Sequence, residues 1–176
     1  MKKNRLALAA AGFLAFGGCT TTARAPQGSP LTQADLDSIT AAYQLVMFDL
    51  QECALLPAHV SAPQVASVAA KICGDAAHFK PLLEQIAAAH DVTLPNALSY
   101  GLTAQYASLF YRPWPSFDVN YLQDQISSHE QALAVFRQET QQATDPGIKS
   151  FAEENVHVVQ DNLERLRQAL KEIGSS

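Results

Sequence analysis

Residues 145–174 read DPGIKSFAEENVHVVQDNLERLRQALKEIG, and the placing of the aliphatic side chains in this stretch decides the fold class. Ile148, Ala152, Val156, Val159, Leu163, Leu166 and Leu170 recur at intervals of three and four, the spacing that lines one face of an α-helix. Both ends carry signals of their own: Asp145 suits an N-cap, Pro146 the first helical position and Gly174 the stop. A single amphipathic helix gains most of its stability from packing that face, so partners with matching faces are required.

Working outward, the same period returns. Just upstream, Ser116 is predicted to cap a helix whose buried edge runs Phe117, Tyr121, Gln125, His129, Leu133, Phe136. At the other end, Thr32-x-x-Asp35 forms a capping box that opens a first helix through Ile39, Tyr43, Val46 and Leu50 to about Leu56. A turn from Pro57 to Ala62 leads to a second helix at Pro63, with the stripe Val65, Val68, Ile72, Ala76, Phe79, Leu83, Ile86. Pro81 is expected to kink it, because proline removes one backbone donor. A longer connection from His90 to Ser116 holds a short predicted helix from Pro95 to about Phe110, stopped by Arg112-Pro113-Trp114-Pro115. No stretch alternates as a strand does.

Short links within each pair and a long crossing between pairs predict an all-α chain. The expected form is a ferritin-like four-helix bundle, two antiparallel hairpins joined by a long crossover that contains the short helix. A faint internal repeat agrees: residues 62–69 (APQVASVA) parallel residues 145–152 (DPGIKSFA).

The beginning of the chain has a different character. Lys2, Lys3 and Arg5 precede an apolar run from Leu6 to Phe16, the order of an export signal, and the run falls short of the roughly 20 residues that span a bilayer. Phe16-Gly17-Gly18-Cys19 then resembles the lipobox of bacterial lipoproteins, with Phe16 in place of the usual leucine. The expected division is residues 1–18 as signal peptide, 19–31 as acylated Cys19 and flexible tether, and 32–174 as the bundle. By resemblance, Thr20 after the cysteine favours the outer membrane. The implied location is the periplasm, with the protein anchored to the outer membrane by lipid on Cys19.

The full chain has 12 Lys+Arg against 17 Asp+Glu. Export would remove Lys2, Lys3 and Arg5 and no acid, leaving 9 against 17, a net of −8. Phosphate recognition needs clustered cations, so nucleic acid is excluded as an expected partner. Cys53 and Cys73 would lie in a compartment that permits disulfides. Their offsets from the intervening turn separate them by about 9 Å along the helices, unless the linker climbs along the second helix. A disulfide and two small buried thiols both remain open.

Beyond the terminus, the chain is similar to the bacterial family catalogued as domain of unknown function 4142, described as predicted outer-membrane or periplasmic proteins with a ferritin-like bundle. The likeness spans residues 33–172. It rests on Val92-Thr93-Leu94-Pro95, on Phe117-Asp118-x-x-Tyr121 and Ser128-His129-Glu130-Gln131-Ala132, and on Asp145-Pro146-x-Ile148-Lys149-x-Phe151-Ala152. The family pattern also has an Asp-His late in the second helix, which falls on Ala77-His78, and a histidine late in the fourth, which falls on Asn162. The resemblance implies the fold and no established activity.

Ferritin-like carboxylate sites draw Glu-x-x-His from two helices and one acid from each of the others. Asp75-x-x-His78 and Glu154-x-x-His157 have that spacing, with Glu52 and Glu130 as completing acids. With Val156 as the centre of its stripe, His157 falls about 100° and Glu154 about 160° away, toward solvent. The candidate metal set is therefore His78, His129, Asp75 and Glu130, with His129 looking inward, and its alternative is polar surface plus a hydrogen-bonded core histidine. His129-Glu130-Gln131-Ala132-Leu133 opens like a zinc-protease helix but has leucine at the second ligand position. Trp114 reads either as a surface anchor for a peptide or glycan or as an aromatic plug over one end of the bundle.

Two functions from different classes follow. The leading one is a non-enzymatic, lipid-anchored envelope interaction or stress-related module with no expected cofactor, bound to the membrane through its acyl chains and to an unidentified envelope protein or ligand. The other is a ferritin-like metal-binding protein or oxidoreductase that holds iron or another divalent metal at His78 and His129 with nearby carboxylates.

Overall fold

The computed structural model describes residues 31–113 and 116–174, and every regular element among them is helical. In chain order these are α1 (Gln33–Cys53), α2 (Leu56–His59), α3 (Pro63–Ala89), α4 (Tyr100–Phe110), α5 (Ser116–Gln142) and α6 (Pro146–Ile173). The expectations for the export signal, Cys19, the tether and Trp114 fall outside the described residues.

Local chemistry accounts for most of the boundaries. The Thr32 hydroxyl accepts from Asp35 N at 3.1 Å and Asp35 Oδ2 accepts from Thr32 N at 2.9 Å, so the capping box closes both ways. Asp145 Oδ1 accepts from Gly147 N at 2.8 Å and Ile148 N at 3.0 Å. Ser116 corrects the expectation, since it is the first residue of α5 and its hydroxyl donates to Pro113 O at 2.8 Å instead of capping. The short helix starts at Tyr100 and not at Pro95, because Gln44 of α1 accepts from Ser99 N and donates to Ala97 O, both at 2.7 Å, and Ser99 caps the helix. Pro81 sits inside an unbroken α3. It and Ala77, whose carbonyl loses its partner, are both exposed, so water can take the lost bond. At the end of α3, Asp91 adopts the left-handed conformation at φ 56° and lets Val92 N reach back to Ala87 O at 2.9 Å.

Around the bundle the order is α1, α3, α6, α5, with each helix packed on its two neighbours. Side-chain pairs fix the directions. Tyr43 meets Glu84 while Cys53 meets Cys73, so α1 and α3 are antiparallel. Ser38 meets Glu139 while Glu52 meets Gln125, so α1 and α5 are antiparallel too. The helices thus run up, down, down, up. The crossover from α3 to α5 must return the full length of the bundle, and α4 makes part of that return along α1 and α5. This is the ferritin-like arrangement expected from the linker lengths.

The core is split. One apolar cluster gathers Tyr43, Val46, Phe79, Leu83, Phe136 and Phe151, with Phe151 edge-on to Phe79 and Phe136. The other gathers Val65, Ile72, Leu109, Phe117, Tyr121 and Leu166. On all four long helices, polar residues occupy the level between them.

Candidate functional site: a polar layer across the bundle

Asp49 and Glu52 sit three residues apart on α1 and face inward. Gln125 of α5, fully buried, donates through Nε2 to Glu52 Oε2 at 2.8 Å and to Asp49 Oδ1 at 3.1 Å. One turn on, the Ser128 hydroxyl donates to the same Asp49 oxygen at 3.2 Å. His129 Nδ1 lies 3.0 Å from the Gln125 carbonyl oxygen, so the Nδ1 proton points back into α5. Across the bundle, Asn162 Nδ2 of α6 donates to Asp75 Oδ2 of α3 at 2.7 Å, and Lys71 Nζ donates to that oxygen at 2.8 Å. Asp49, Asp75, His129 and Asn162, one side chain from each long helix, line a cavity of about 20 Å³, room for a single water.

Burial sets the charge state of this layer. Glu52 is 0 % exposed, and desolvation pushes its carboxyl from 4.5 up to about 9, with Asp124 and Asp49 adding to the rise and the Gln125 bond opposing it. Asp49 is raised as well by burial, against the pull of His129 and the bonds from Gln125 and Ser128. Burial holds the Tyr121 phenol well above its usual range. Glu52 Oε1, Tyr121 OH, Gln125 Oε1 and Asn162 Oδ1 have no hydrogen-bond partner. At neutral pH the layer therefore stores a proton on Glu52 in a site closed to solvent.

The sequence profile of the family described as "Domain of unknown function (DUF4142)" matches residues 20–169. The chain belongs to that family. Among solved structures it is similar to the "Crystal structure of DUF305 fragment from Deinococcus radiodurans", with a TM-score of 0.72 and 16 % identity over 82 % of this chain and 99 % of that one. At such identity the likeness is one of fold, a ferritin-like helical fold. No curated protein matches the chain.

In this DUF4142 chain the metal set read from the sequence does not assemble. His78 is exposed on α3, and Glu130 is exposed on α5, where it accepts from Arg167 Nη2 at 2.6 Å. Only Asp75 and His129 reach the cavity, and Asp75 is already bonded to Asn162 and Lys71. Among the described residues no three His, Cys, Asp or Glu side chains are grouped to hold a metal ion, so the residues present do not fit a ferritin-like metal pair. Glu154 and His157 are exposed, as their angles on the helix predicted. Two members of the layer escaped the sequence reading. Asp49 continues the Ala42, Leu45 row of α1, and Asn162 continues the Ala152, Asn155, Val159 row of α6. A period traced through polar as well as apolar positions would have found both.

Next to the layer, Cys53 and Cys73 form a disulfide with a Cα separation of 5.9 Å. The offset of about 9 Å along the helices is removed because α1 ends at Cys53 itself. The linker then carries on past that end, with Leu55 buried beside Val65 and Val68 and His59 stacked on Phe117.

Proposed function

We propose that this DUF4142 protein is a lipid-anchored, non-enzymatic helical bundle of the bacterial envelope. Acyl chains on Cys19 hold it to the outer membrane, and the domain faces the periplasm as an interaction or stress-related module. The observation that carries this reading is the Cys53–Cys73 bond. Disulfides persist in oxidising compartments and are rare in the cytosol, and the lipobox-like end of the chain directs the domain to such a compartment. The interior supports a binding or structural role over catalysis: Gln125 bonds Asp49 and Glu52, Asn162 bonds Asp75, and the core cavities are of about 10 and 20 Å³.

The test is to purify the full-length gene product from membranes without reductant and to measure the mass of its N-terminal peptide and its free thiols. The expected result is an acylated Cys19 and no free thiol. An unmodified cysteine at the mature terminus, or two titratable thiols, overturns the reading.

A further inference from the structure

All four exposed large hydrophobic residues among the described residues fall between positions 100 and 119: Tyr100 at 92 %, Phe110 at 45 %, Tyr111 at 80 % and Val119 at 37 % exposure. Three of them decorate α4 or the residue after it, where Tyr106, Phe110 and Tyr111 form a run of ring contacts. Only Leu109 of α4 is buried. In a chain of net charge −5, residues 92–117 contain no Asp or Glu and one cation, Arg112. Asp124 of α5 bonds Gln105 and faces Arg112, so the two charges offset each other. The crossover thus presents a neutral, aromatic face on an otherwise charged exterior.

We propose that this face of α4 rests on the bilayer to which the chain is anchored, with Tyr100, Phe110 and Tyr111 at the level of the lipid headgroups. The inference rests on the lipid anchor proposed above. Tyrosine concentrates at membrane–water interfaces, where its ring is apolar and its hydroxyl wet. A second copy of the chain is a poorer occupant, because a stable protein interface buries about 800 Å² per partner, and an 11-residue helix has a footprint of only about 200 Å². A bilayer needs less, because a tether holds the face at an effective concentration near millimolar.

The geometry allows it. Gln44 pins the start of α4 through Ala97 and Ser99, and Gln44 lies about 17 Å along α1 from its start. The twelve residues from Thr20 to Leu31 reach at most about 40 Å. The acyl chains can therefore enter the same membrane plane that α4 touches, with the bundle lying on its side. Among the described residues no helix is long and apolar enough to cross a membrane, so the contact is interfacial.

The experiment is hydroxyl-radical footprinting of the acylated full chain on phosphatidylcholine vesicles, beside the Cys19→Ser chain free in solution. His78 and His157, exposed on α3 and α6, serve as internal references. Labelling of Tyr100 and Tyr111 relative to those histidines is expected to fall at least about threefold on vesicles, and in a Tyr100→Ser/Phe110→Ser/Tyr111→Ser chain the half-buried Tyr106 of the same helix is expected to label equally on vesicles and in solution. Unchanged tyrosine labelling on a vesicle-bound, acylated chain overturns the docking and leaves the anchor standing. A chain that proves unacylated overturns the anchor instead, and docking is then read from protection of the free chain by millimolar lipid. Tyrosine protection without vesicles, accompanied by a dimer on gel filtration, assigns the face to a second copy and overturns the proposal.

Discussion

Replacing Glu52 by glutamine isolates the one carboxyl that the bundle forces to keep its proton. Glu52 is 0 % exposed and receives a single hydrogen bond, from Gln125. Its carboxyl is pushed from 4.5 up to about 9, first by burial. The native state therefore holds a proton over a range in which the unfolded chain has lost it, and each pH unit crossed in that condition costs the native state about 1.4 kcal/mol. A raised carboxylate works opposite to a salt-bridged one. Its penalty is absent below about pH 4.5, reaches about 3 kcal/mol at pH 7 and is complete above about pH 9. Glutamine has the same outline, carries no proton to lose, and keeps an oxygen for the Gln125 amide. The Glu52→Gln chain is expected to match the wild type near pH 4 and to exceed it by about 2–3 kcal/mol at pH 7, with the gap widening toward pH 9. Asp49, raised in the same direction, and Asp35, lowered because bonds from Thr32 and Thr144 outweigh its burial, are present in both chains and largely cancel. Urea unfolding followed by far-ultraviolet circular dichroism, extrapolated at each pH, reads the difference. Parallel pH profiles for the two chains, or a variant weaker at neutral pH, would refute the reasoning.

Asp118 accepts from Ser61 N, the Ser61 hydroxyl and Ala62 N while itself buried in the first turn of α5. Asp118→Asn is expected to cost about 2 kcal/mol in urea unfolding, and a loss near zero would show that the linker is held by packing alone. Reduction of the Cys53–Cys73 bond, whose partners are 20 residues apart, is expected to remove about 3 kcal/mol by freeing the unfolded chain. A melting temperature indifferent to reductant would contradict that. Because the cavity does not assemble a ligand set, untagged protein after dialysis is expected to carry background iron, zinc, copper and manganese. Stoichiometric metal that disappears with His129→Ala would reverse the judgement on the layer. Asp145→Ala, which removes the cap on Gly147 and Ile148 and the Asp145 contact with His90 at 3.2 Å, is expected to destabilise α6 by about 1–2 kcal/mol, as read by amide exchange at its first turn.

Helix identity was legible wherever an apolar face and a cap coincided. The stripe from Val65 to Leu83 and the edge from Phe117 to Phe136 are buried as their spacing predicted. On α6 the reading centred the seam on Val156, which is half-buried, whereas the innermost row passes through Asn155, Val159, Asn162 and Leu166. The error came from counting only aliphatic residues. An inward asparagine looks like surface in a sequence, because nothing local reveals that Asp75 waits for its amide on another helix. The same holds for Asp49 and Glu52. Carboxylates are read as exposed by default, and only Gln125 and Ser128, more than 70 residues away along the chain, make their burial tolerable.

From its own residues, then, this chain determined its four long helices and the short one of the crossover, where most of them start and stop, and that a long crossover must separate two hairpins, whereas α2 (Leu56–His59) formed where a turn was expected. Those properties follow from hydrogen bonds and periodicities that reach no further than a turn or two. Which polar groups are taken from water, which carboxyl keeps its proton, that His78 and Glu130 face outward, and that Cys53 and Cys73 meet were decided only by the tertiary structure. Each depends on the rotation of one helix against another, and that rotation is settled by the fit of the whole core.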